Sequence, residues 1–254
     1  YRDYYLGYSN QSLWPLCHDL QSRCVFEPAY WQAYIEVNRR FAQEIKSRMR
    51  ASDFVWVHDY QLMMVADHLR KEGVSGRLGF FLHIPFPPPD IFMKLPERQA
   101  LLTGLLQYDL IGLQTQRDRR NFVQCVRMLT KNARVRVAGS LHRIWLEERE
   151  VQVAAFPISI DYNAFHRLSM DPRVRALAAE IKEALPGRAL MLGVDRLDYT
   201  KGIPERLHAF RHLLRSHPET HGRVNLVLVS ERSARRLGWA GTAGATSTRT
   251  PAAR

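Results

Sequence analysis

The chain has 254 residues, which is enough for one large domain or two smaller ones. Its hydrophobic content of 46% is ordinary for a globular protein, and no apolar run is long enough to cross a bilayer. The net charge of +12 does not favour specific nucleic-acid binding, because residues 230–254 carry +4 of it and the remaining cations are spread along amphipathic helices.

The first half of the chain alternates between short apolar runs and amphipathic segments. Residues 28–51 predict a long amphipathic helix, because their apolar side chains recur at helical spacing. Strands are predicted at 54–57, 78–82 and 109–113, and helices at 61–71, 95–107 and through Asn121 and Val126. This alternation predicts a mostly parallel sheet with helices on both faces.

The rhythm changes after residue 133 and then restarts. Residues 134–156 predict an antiparallel hairpin at the domain edge and 156–158 a final strand, and the segment 160–185 is predicted to contain a connecting helix. A second strand–helix–strand pattern follows at 189–194, 203–216 and 224–229. The α/β pattern therefore predicts two Rossmann-like, doubly wound domains, at 1–160 and 161–229, the second incomplete. Residues 230–254 have no periodicity and are predicted to be disordered.

The stretch 189–204 predicts an anion site. An apolar strand ends in a short loop that carries Arg196 and Lys201, and Gly202 and Pro204 mark the start of a helix. Free backbone N–H groups and the helix dipole favour negative charge at such a helix start. A phosphate or diphosphate is the expected ligand. An ordinary strand-to-helix connection whose two cations face water is the alternative interpretation.

Polar residues also follow the predicted strands of the first domain. They are His58, Asp59, Tyr60, His83, Gln114 and Thr115. Ligands of parallel α/β sheets bind beyond the carboxyl ends of the strands, so this edge suits a polyhydroxylated, phosphorylated ligand. Each residue also has a structural alternative: Asp59 as a helix cap, His58 as a core histidine and His83 as a hydrogen-bonded strand end.

The order of the motifs resembles the trehalose-6-phosphate synthase family, over residues 1 to about 229. The residues that carry the resemblance are Tyr4-Tyr5, Leu13-Trp14-Pro15, the segments 56–60 (WVHDY), 81–87 (FLHIPFP) and 109–112 (DLIG), and 195–202 (DRLDYTKG). The resemblance implies a retaining glycosyltransferase of family 20 and a GT-B fold, in which two Rossmann-like domains face each other across the active site. It also implies that the enzyme requires neither a metal ion nor a cofactor.

The resemblance implies acceptor contacts in the first domain. Tyr5 and Trp14 match the aromatic pair that borders glucose-6-phosphate. Asp59 matches the carboxylate that binds acceptor hydroxyls, and is expected to bind without attacking. Gln61 and Glu97 stand where histidine and tryptophan are common in the family.

The resemblance also implies donor contacts. His83 matches the histidine that contacts the donor sugar at the reaction centre. Arg196 and Lys201 match the two cations that bind the diphosphate of UDP-glucose. The implied catalytic set is thus Asp59, His83, Arg196 and Lys201. The family's retention is usually explained by front-face attack assisted by the leaving phosphate, so no enzyme nucleophile is expected.

Several alternatives stay open at this stage. The family pattern has an N-terminal strand before Tyr1 and acidic donor contacts after Val229 that are not recognisable here, so the 254-residue chain alone is expected to be inactive. An enzyme that uses another phosphorylated acceptor, such as glycerol-3-phosphate, and a non-catalytic fragment are the rival hypotheses. The donor base (UDP or GDP) and the oligomeric state, a homo-oligomer included, are not decided. No membrane partner is expected.

The three cysteines bear on the compartment. Cys17, Cys24 and Cys125 show neither C-x-x-C spacing nor histidines at metal-ligand intervals. A sparse, odd set of this kind fits buried thiols in a reducing compartment. The sequence therefore predicts a cytoplasmic protein without a metal site.

Overall fold

The computed structural model describes residues 1–147, 149–185 and 189–230. The chain divides into two compact units, Tyr1–Ser159 and a second unit that begins at Ile160. Nowhere in the described ranges is a helix both long enough and apolar enough to span a membrane. Disorder is predicted for residues 230–254, of which 231–254 lie outside these ranges.

The first unit opens with a π-helical segment, Arg2–Leu13. Its α-helices are α1 (Trp14–Cys17), α2 (Pro28–Arg48), α3 (Val65–Lys71), α4 (Pro89–Phe92), α5 (Arg98–Leu105) and α6 (Gln116–Leu129). Its strands are β1 (Val55–His58), β2 (Leu78–Phe81), β3 (Leu110–Leu113), β4 (Arg134–Ala138), β5 (Leu141–Leu146) and β6 (Arg149–Ala155). The strands and helices predicted before residue 130 are confirmed, with shifted ends.

The six strands form one sheet in the order β1-β2-β3-β6-β5-β4. β1, β2, β3 and β6 are parallel, and β6, β5 and β4 form an antiparallel meander. Val57, Phe80, Ile111 and Val153 pair across the parallel part, and each is at most 5% exposed. The predicted parallel sheet with an antiparallel edge is confirmed.

The strand predicted at 156–158 is wrong. β6 ends at Ala155, and the last ladder-like bond is the one from the N–H of Phe156 to the carbonyl oxygen of Leu113, at 2.8 Å. Pro157 has no N–H and cannot extend the pairing. β6 is therefore the strand that lies parallel to β3.

The described part of the second unit is a strand–helix–strand pair preceded by two helices. The elements are α7 (Tyr162–Met170), α8 (Pro172–Glu183), β7 (Ala189–Asp195), α9 (Ile203–Ser216) and β8 (Val224–Ser230). β7 and β8 are parallel, as predicted, with Gly193 opposite Leu228. The segment 160–185, predicted to contain a connecting helix, contains two, because Asp171 caps the N–H of Arg173 at 2.8 Å and Pro172 starts a new helix.

A charged cluster fastens the amino ends of β2, β3 and β6. The carboxylate of Asp109 accepts hydrogen bonds from Nη2 of Arg70 at 2.9 and 3.1 Å, and from Nη2 of Arg149 at 2.9 Å. It also accepts the main-chain N–H of Leu78 at 2.7 Å. Burial and the nearby Arg70 lower the pKa of Arg149, whereas Asp109 raises it. One carboxylate thus joins three strands.

Replacing Asp109 with alanine is expected to lower the free energy of unfolding by about 2 to 3 kcal/mol, because two part-buried guanidinium groups lose their carboxylate partner and the N–H of Leu78 loses its acceptor. The measurement is urea denaturation followed by circular dichroism. Glu36→Gln is the matched control: the Glu36 carboxylate is as exposed as that of Asp109 and also binds two arginines, but Arg39 and Arg40 are 41% and 72% exposed, whereas Arg70 and Arg149 are 16% and 26% exposed. The midpoint of Glu36→Gln is therefore expected to stay at the wild-type value. Equal midpoints for all three proteins would contradict the structural role of the cluster.

Candidate functional site

Asp59 and His83 meet where the adjacent parallel strands β1 and β2 end. Oδ1 of Asp59 accepts the main-chain N–H of His83 at 3.1 Å, and the N–H of Asp59 donates to the carbonyl oxygen of Phe81 at 2.8 Å. Asp59 has φ +74°, a conformation that costs free energy in a residue with a side chain and that often occurs at functional sites. Two predicted site residues are therefore in direct contact.

The imidazole of His58 joins this pair. Its Nδ1 lies 2.9 Å from Nε2 of His83, and its ring packs 4.4 Å from the ring of Trp56. Burial lowers the pKa of His58, His83 lowers it further, and Asp59 opposes both effects. The alternative interpretation of His58 as a core histidine is wrong, because the residue is exposed.

Aromatic side chains connect the predicted acceptor residues to this loop. Trp14 packs 5.5 Å from Tyr60, the residue next to Asp59, and the Tyr60 hydroxyl donates to Oδ1 of Asn10 at 2.8 Å. Tyr5 stacks on Tyr1, with ring centroids 5.3 Å apart. Trp14 is thus linked to the loop that carries Asp59, whereas Tyr5 contacts Tyr1 at the start of the chain.

Two side chains of α2, neither of them among the predicted site residues, hold the loop that carries Asp59. The Tyr34 hydroxyl donates to the carbonyl oxygen of Tyr60 at 2.7 Å and accepts the N–H of Met63 at 3.1 Å. Asn38, one turn later, donates to the carbonyl oxygen of Gln61 at 3.0 Å and accepts the N–H of Met64 at 3.1 Å. Both side chains are fully buried.

These bonds explain why the helix predicted from residue 61 begins at Val65. Four main-chain groups of 60–64, two carbonyl oxygens and two N–H groups, bond to α2 side chains and need no helical partners. Asp59 therefore does not cap a helix at 61, which was its structural alternative. The available sequence signal was a tyrosine and an asparagine four residues apart on the buried face of α2.

Replacing Asn38 with alanine is expected to destabilise the protein by about 2 kcal/mol, because the Met64 N–H loses its buried acceptor and the Gln61 carbonyl keeps only the Tyr4 hydroxyl of its two side-chain donors. Thermal unfolding measured by circular dichroism gives the change. Gln43→Ala, on the exposed face of the same helix, is the control and is expected to leave the midpoint unchanged. A midpoint for Asn38→Ala equal to that of Gln43→Ala would count against this support.

Other predicted edge residues have structural tasks. Thr115 caps α6 in a reciprocal capping box with Asp118, and Oε1 of Gln114 accepts the N–H of Ile158 at 3.3 Å. Glu97 accepts the hydroxyl of buried Tyr8 at 3.3 Å; burial, and then Glu97, raises the pKa of Tyr8 well above its usual range. Glu97, which stands where tryptophan is common in the family that the sequence resembles, thus places a hydrogen-bond acceptor beside Tyr8.

The predicted cationic loop lies at the carboxyl end of β7, in the second unit. Nη2 of Arg196 is 3.8 Å from Oδ2 of Asp198, and Oδ1 of Asp198 accepts both the N–H and the hydroxyl of Thr200 at 2.9 Å. Lys201 ends a short 3-10 turn, and Gly202, at φ +60°, leads into α9. The strand, cationic loop and helix start follow in the predicted order.

Arg206 fastens this loop from the first turns of α9. Its guanidinium donates to Oδ2 of Asp195 at 2.8 Å and to the carbonyl oxygen of Lys201 at 3.2 Å. The guanidinium lies so close to Gly193 that a Cβ there would collide with it. The start and the end of the loop are therefore held by one side chain, which is not among the predicted site residues.

The fold and the site define an α/β protein with polar groups collected at the carboxyl ends of parallel strands. The profile of glycosyltransferase family 20 matches residues 1–239. The chain therefore belongs to glycosyltransferase family 20.

Named relatives agree with this assignment. The chain is 43% identical over 232 residues to alpha,alpha-trehalose-phosphate synthase [UDP-forming] 2 of Aspergillus niger, a match that covers 89% of this chain and 47% of the relative. It is 43% identical over 216 residues to trehalose-6-phosphate synthase of Mycobacterium ulcerans, covering 83% of this chain and 43% of the relative. The chain thus spans about half the length of these curated relatives.

Solved structures show the same fold. A Burkholderia xenovorans alpha,alpha-trehalose-phosphate synthase (UDP-forming) in complex with glucose-6-phosphate superposes with a TM-score of 0.81 at 33% identity, covering 91% of this chain and 50% of that chain. An E. coli structure described as bound with UDP-2-fluoro glucose gives a TM-score of 0.79 at 33% identity, covering 95% and 56%. The predicted α/β, GT-B fold class is confirmed.

Proposed function

We propose that the protein transfers a glucosyl group from UDP-glucose to glucose-6-phosphate with retention, forming trehalose-6-phosphate and UDP. The observation that carries the proposal is the direct contact between Asp59 and His83 at neighbouring strand ends, in a chain of this family. The names of the relatives support the UDP-forming reaction over a GDP-dependent one. A structure with glucose-6-phosphate and another with a UDP-sugar analogue support the two substrates.

The proposal divides the substrates between the two parts of the chain. Residues 1–160 form the acceptor-side domain, in which Tyr5, Trp14 and Asp59 contact glucose-6-phosphate. Residues 161–229 begin the nucleotide-sugar domain, in which Arg196 and Lys201 bind the diphosphate. The strand–loop–helix arrangement at 189–216 supports the second assignment, because free N–H groups at a helix start and two cations favour a phosphate ligand.

The proposed chemistry needs positioning and charge stabilisation. As the bond between the anomeric carbon and the diphosphate breaks, negative charge grows on the departing phosphate, and preorganised cations at 196 and 201 stabilise it. Asp59 holds the acceptor hydroxyls, and His83 contacts the donor sugar, so that the attacking oxygen approaches the face from which the phosphate leaves. The acceptor proton passes to the leaving phosphate, and no enzyme carboxylate attacks.

A cytoplasmic location is part of the proposal. Cys17, Cys24 and Cys125 are all free thiols, and burial raises the pKa of Cys125 to about 12. Cys17 and Cys125 are buried and Cys24 is half-buried, and free, buried thiols are typical of proteins in a reducing compartment. The partners proposed are a nucleotide sugar and a sugar phosphate.

The test is UDP release by a version of the protein that has the length of the curated relatives. We expect release only when UDP-glucose and glucose-6-phosphate are both present, with trehalose-6-phosphate identified by mass spectrometry. Glycerol-3-phosphate is the comparison acceptor. If UDP-glucose gave UDP release with glycerol-3-phosphate but not with glucose-6-phosphate, the rival acceptor class would be established and the proposal overturned.

A further inference from the structure

We propose that His58 is a positioning residue for His83: its ring fixes the orientation and tautomer of the His83 imidazole, so that Nδ1 of His83 faces the donor sugar. The purpose of this arrangement rests on the proposed function. The arrangement itself rests on contacts within the first unit.

The contact between the two rings uses one particular nitrogen of each. Nδ1 of His58 lies 2.9 Å from Nε2 of His83, which is hydrogen-bond distance. A neutral imidazole has one N–H donor and one acceptor nitrogen, so in a bond between two imidazoles the tautomer of one ring dictates that of the other, whichever ring is the donor. Because Nε2 of His83 is engaged, Nδ1 is the nitrogen that His83 offers to a ligand.

The surrounding side chains hold the His58 ring in place. Trp56 and His58 are two residues apart and therefore lie on the same face of β1, and their ring centroids are 4.4 Å apart. Phe81, on the neighbouring strand, lies 6.4 Å from His58 and 4.8 Å from His83. The two imidazoles therefore pack in one aromatic row at the ends of β1 and β2.

The backbone of His83 is fixed independently of its ring. Its N–H donates to the Asp59 carboxylate at 3.1 Å, so Asp59 positions the main chain and His58 positions the side chain. Within the described residues, the titratable groups that shift the pKa of His58 are His83, which lowers it, and Asp59, which raises it. Two imidazolium rings at this distance would each present a donor to the other, so the pair is stable with one shared proton across the bond.

The direct test is ¹⁵N NMR of the imidazole rings in the 254-residue chain without ligand, with His83 assigned from the spectrum of His83→Phe. We expect two well-separated His83 nitrogen shifts, as a single tautomer gives. His58→Phe keeps a ring beside Trp56 but removes Nδ1, and is expected to merge the two shifts toward an average. His58→Asn returns an amide near the position of Nδ1 and is expected to restore the separation. His212→Phe, on α9, is the matched control and should leave the His83 shifts unchanged.

Averaged His83 shifts in the wild type, or shifts that His58→Phe does not alter, would overturn the positioning role. A second, kinetic experiment uses a version of the protein with the length of the relatives. His58→Phe is expected to lower kcat about ten- to a hundredfold and to leave the KM for glucose-6-phosphate unchanged. His58→Asn is expected to recover most of this loss. Unchanged kcat in His58→Phe would overturn the link to the donor sugar. The NMR result does not depend on transferase activity, so its outcome is distinct from failure of the proposed function.

Discussion

Replacing Arg196 or Lys201 with alanine is expected to lower kcat by about 10²- to 10³-fold each, because each variant removes a cation aimed at charge that develops on the leaving phosphate. The measurement is steady-state UDP release by a version of the protein with the length of the relatives. Arg196→Lys keeps the charge but loses the planar fork of donors, and is expected to recover only part of the loss.

The matched control for this pair is Arg211→Ala, an exposed arginine on α9, the helix that follows the loop. It removes the same charge from the same unit and is expected to change kcat by less than about twofold, since an exposed charge elsewhere is screened by solvent. A control loss as large as that of Arg196→Ala would show that net charge, and not the loop, is responsible. Full activity in both loop variants would contradict the diphosphate assignment.

Replacing Asp59 with asparagine is expected to lower kcat/KM for glucose-6-phosphate about ten- to a hundredfold, because a charged acceptor of the sugar hydroxyls becomes neutral. The KM for UDP-glucose is expected to stay constant. Asparagine tolerates φ +74° and its amide oxygen still accepts the His83 N–H, so the loop is expected to keep its conformation. The kinetic effect is thereby separated from folding.

Asp53→Asn is the control for this variant. Asp53 lies just before β1, at the opposite end of the strand from Asp59, and its carboxylate accepts the main-chain N–H of Arg50. The kcat/KM of Asp53→Asn for glucose-6-phosphate is expected to match that of the wild type. If Asp59→Asn instead raised the KM for UDP-glucose alone, the carboxylate would belong to the donor site and the acceptor assignment would be wrong.

The parallel strands were predictable because each is a short apolar run in a regular alternation with helices. Phe80 and Ile111 are nearly inaccessible and lie in the centre of the sheet, so burial alone determines that they are apolar. The carboxyl-end rule then indicated where Asp59 and His83 would lie. The contact between them follows from topology, because β1 and β2 are neighbours.

The supporting contacts were not predictable, because they join residues far apart in the chain. Residues 61–64 have the apolar spacing of a helix, but Tyr34 and Asn38 satisfy their main-chain groups in another conformation. The bond between His58 and His83 spans 25 residues and depends on strand register. Periodicity describes local burial and carries no information about such partners.

A crystal structure with UDP and glucose-6-phosphate bound, at the length of the relatives, tests the central claim most directly. The account predicts the diphosphate between the side chains of Arg196 and Lys201, and an Asp59 oxygen within hydrogen-bond distance of a glucose-6-phosphate hydroxyl. A diphosphate bound away from the 196–202 loop, or a sugar phosphate that does not touch Asp59, would contradict it.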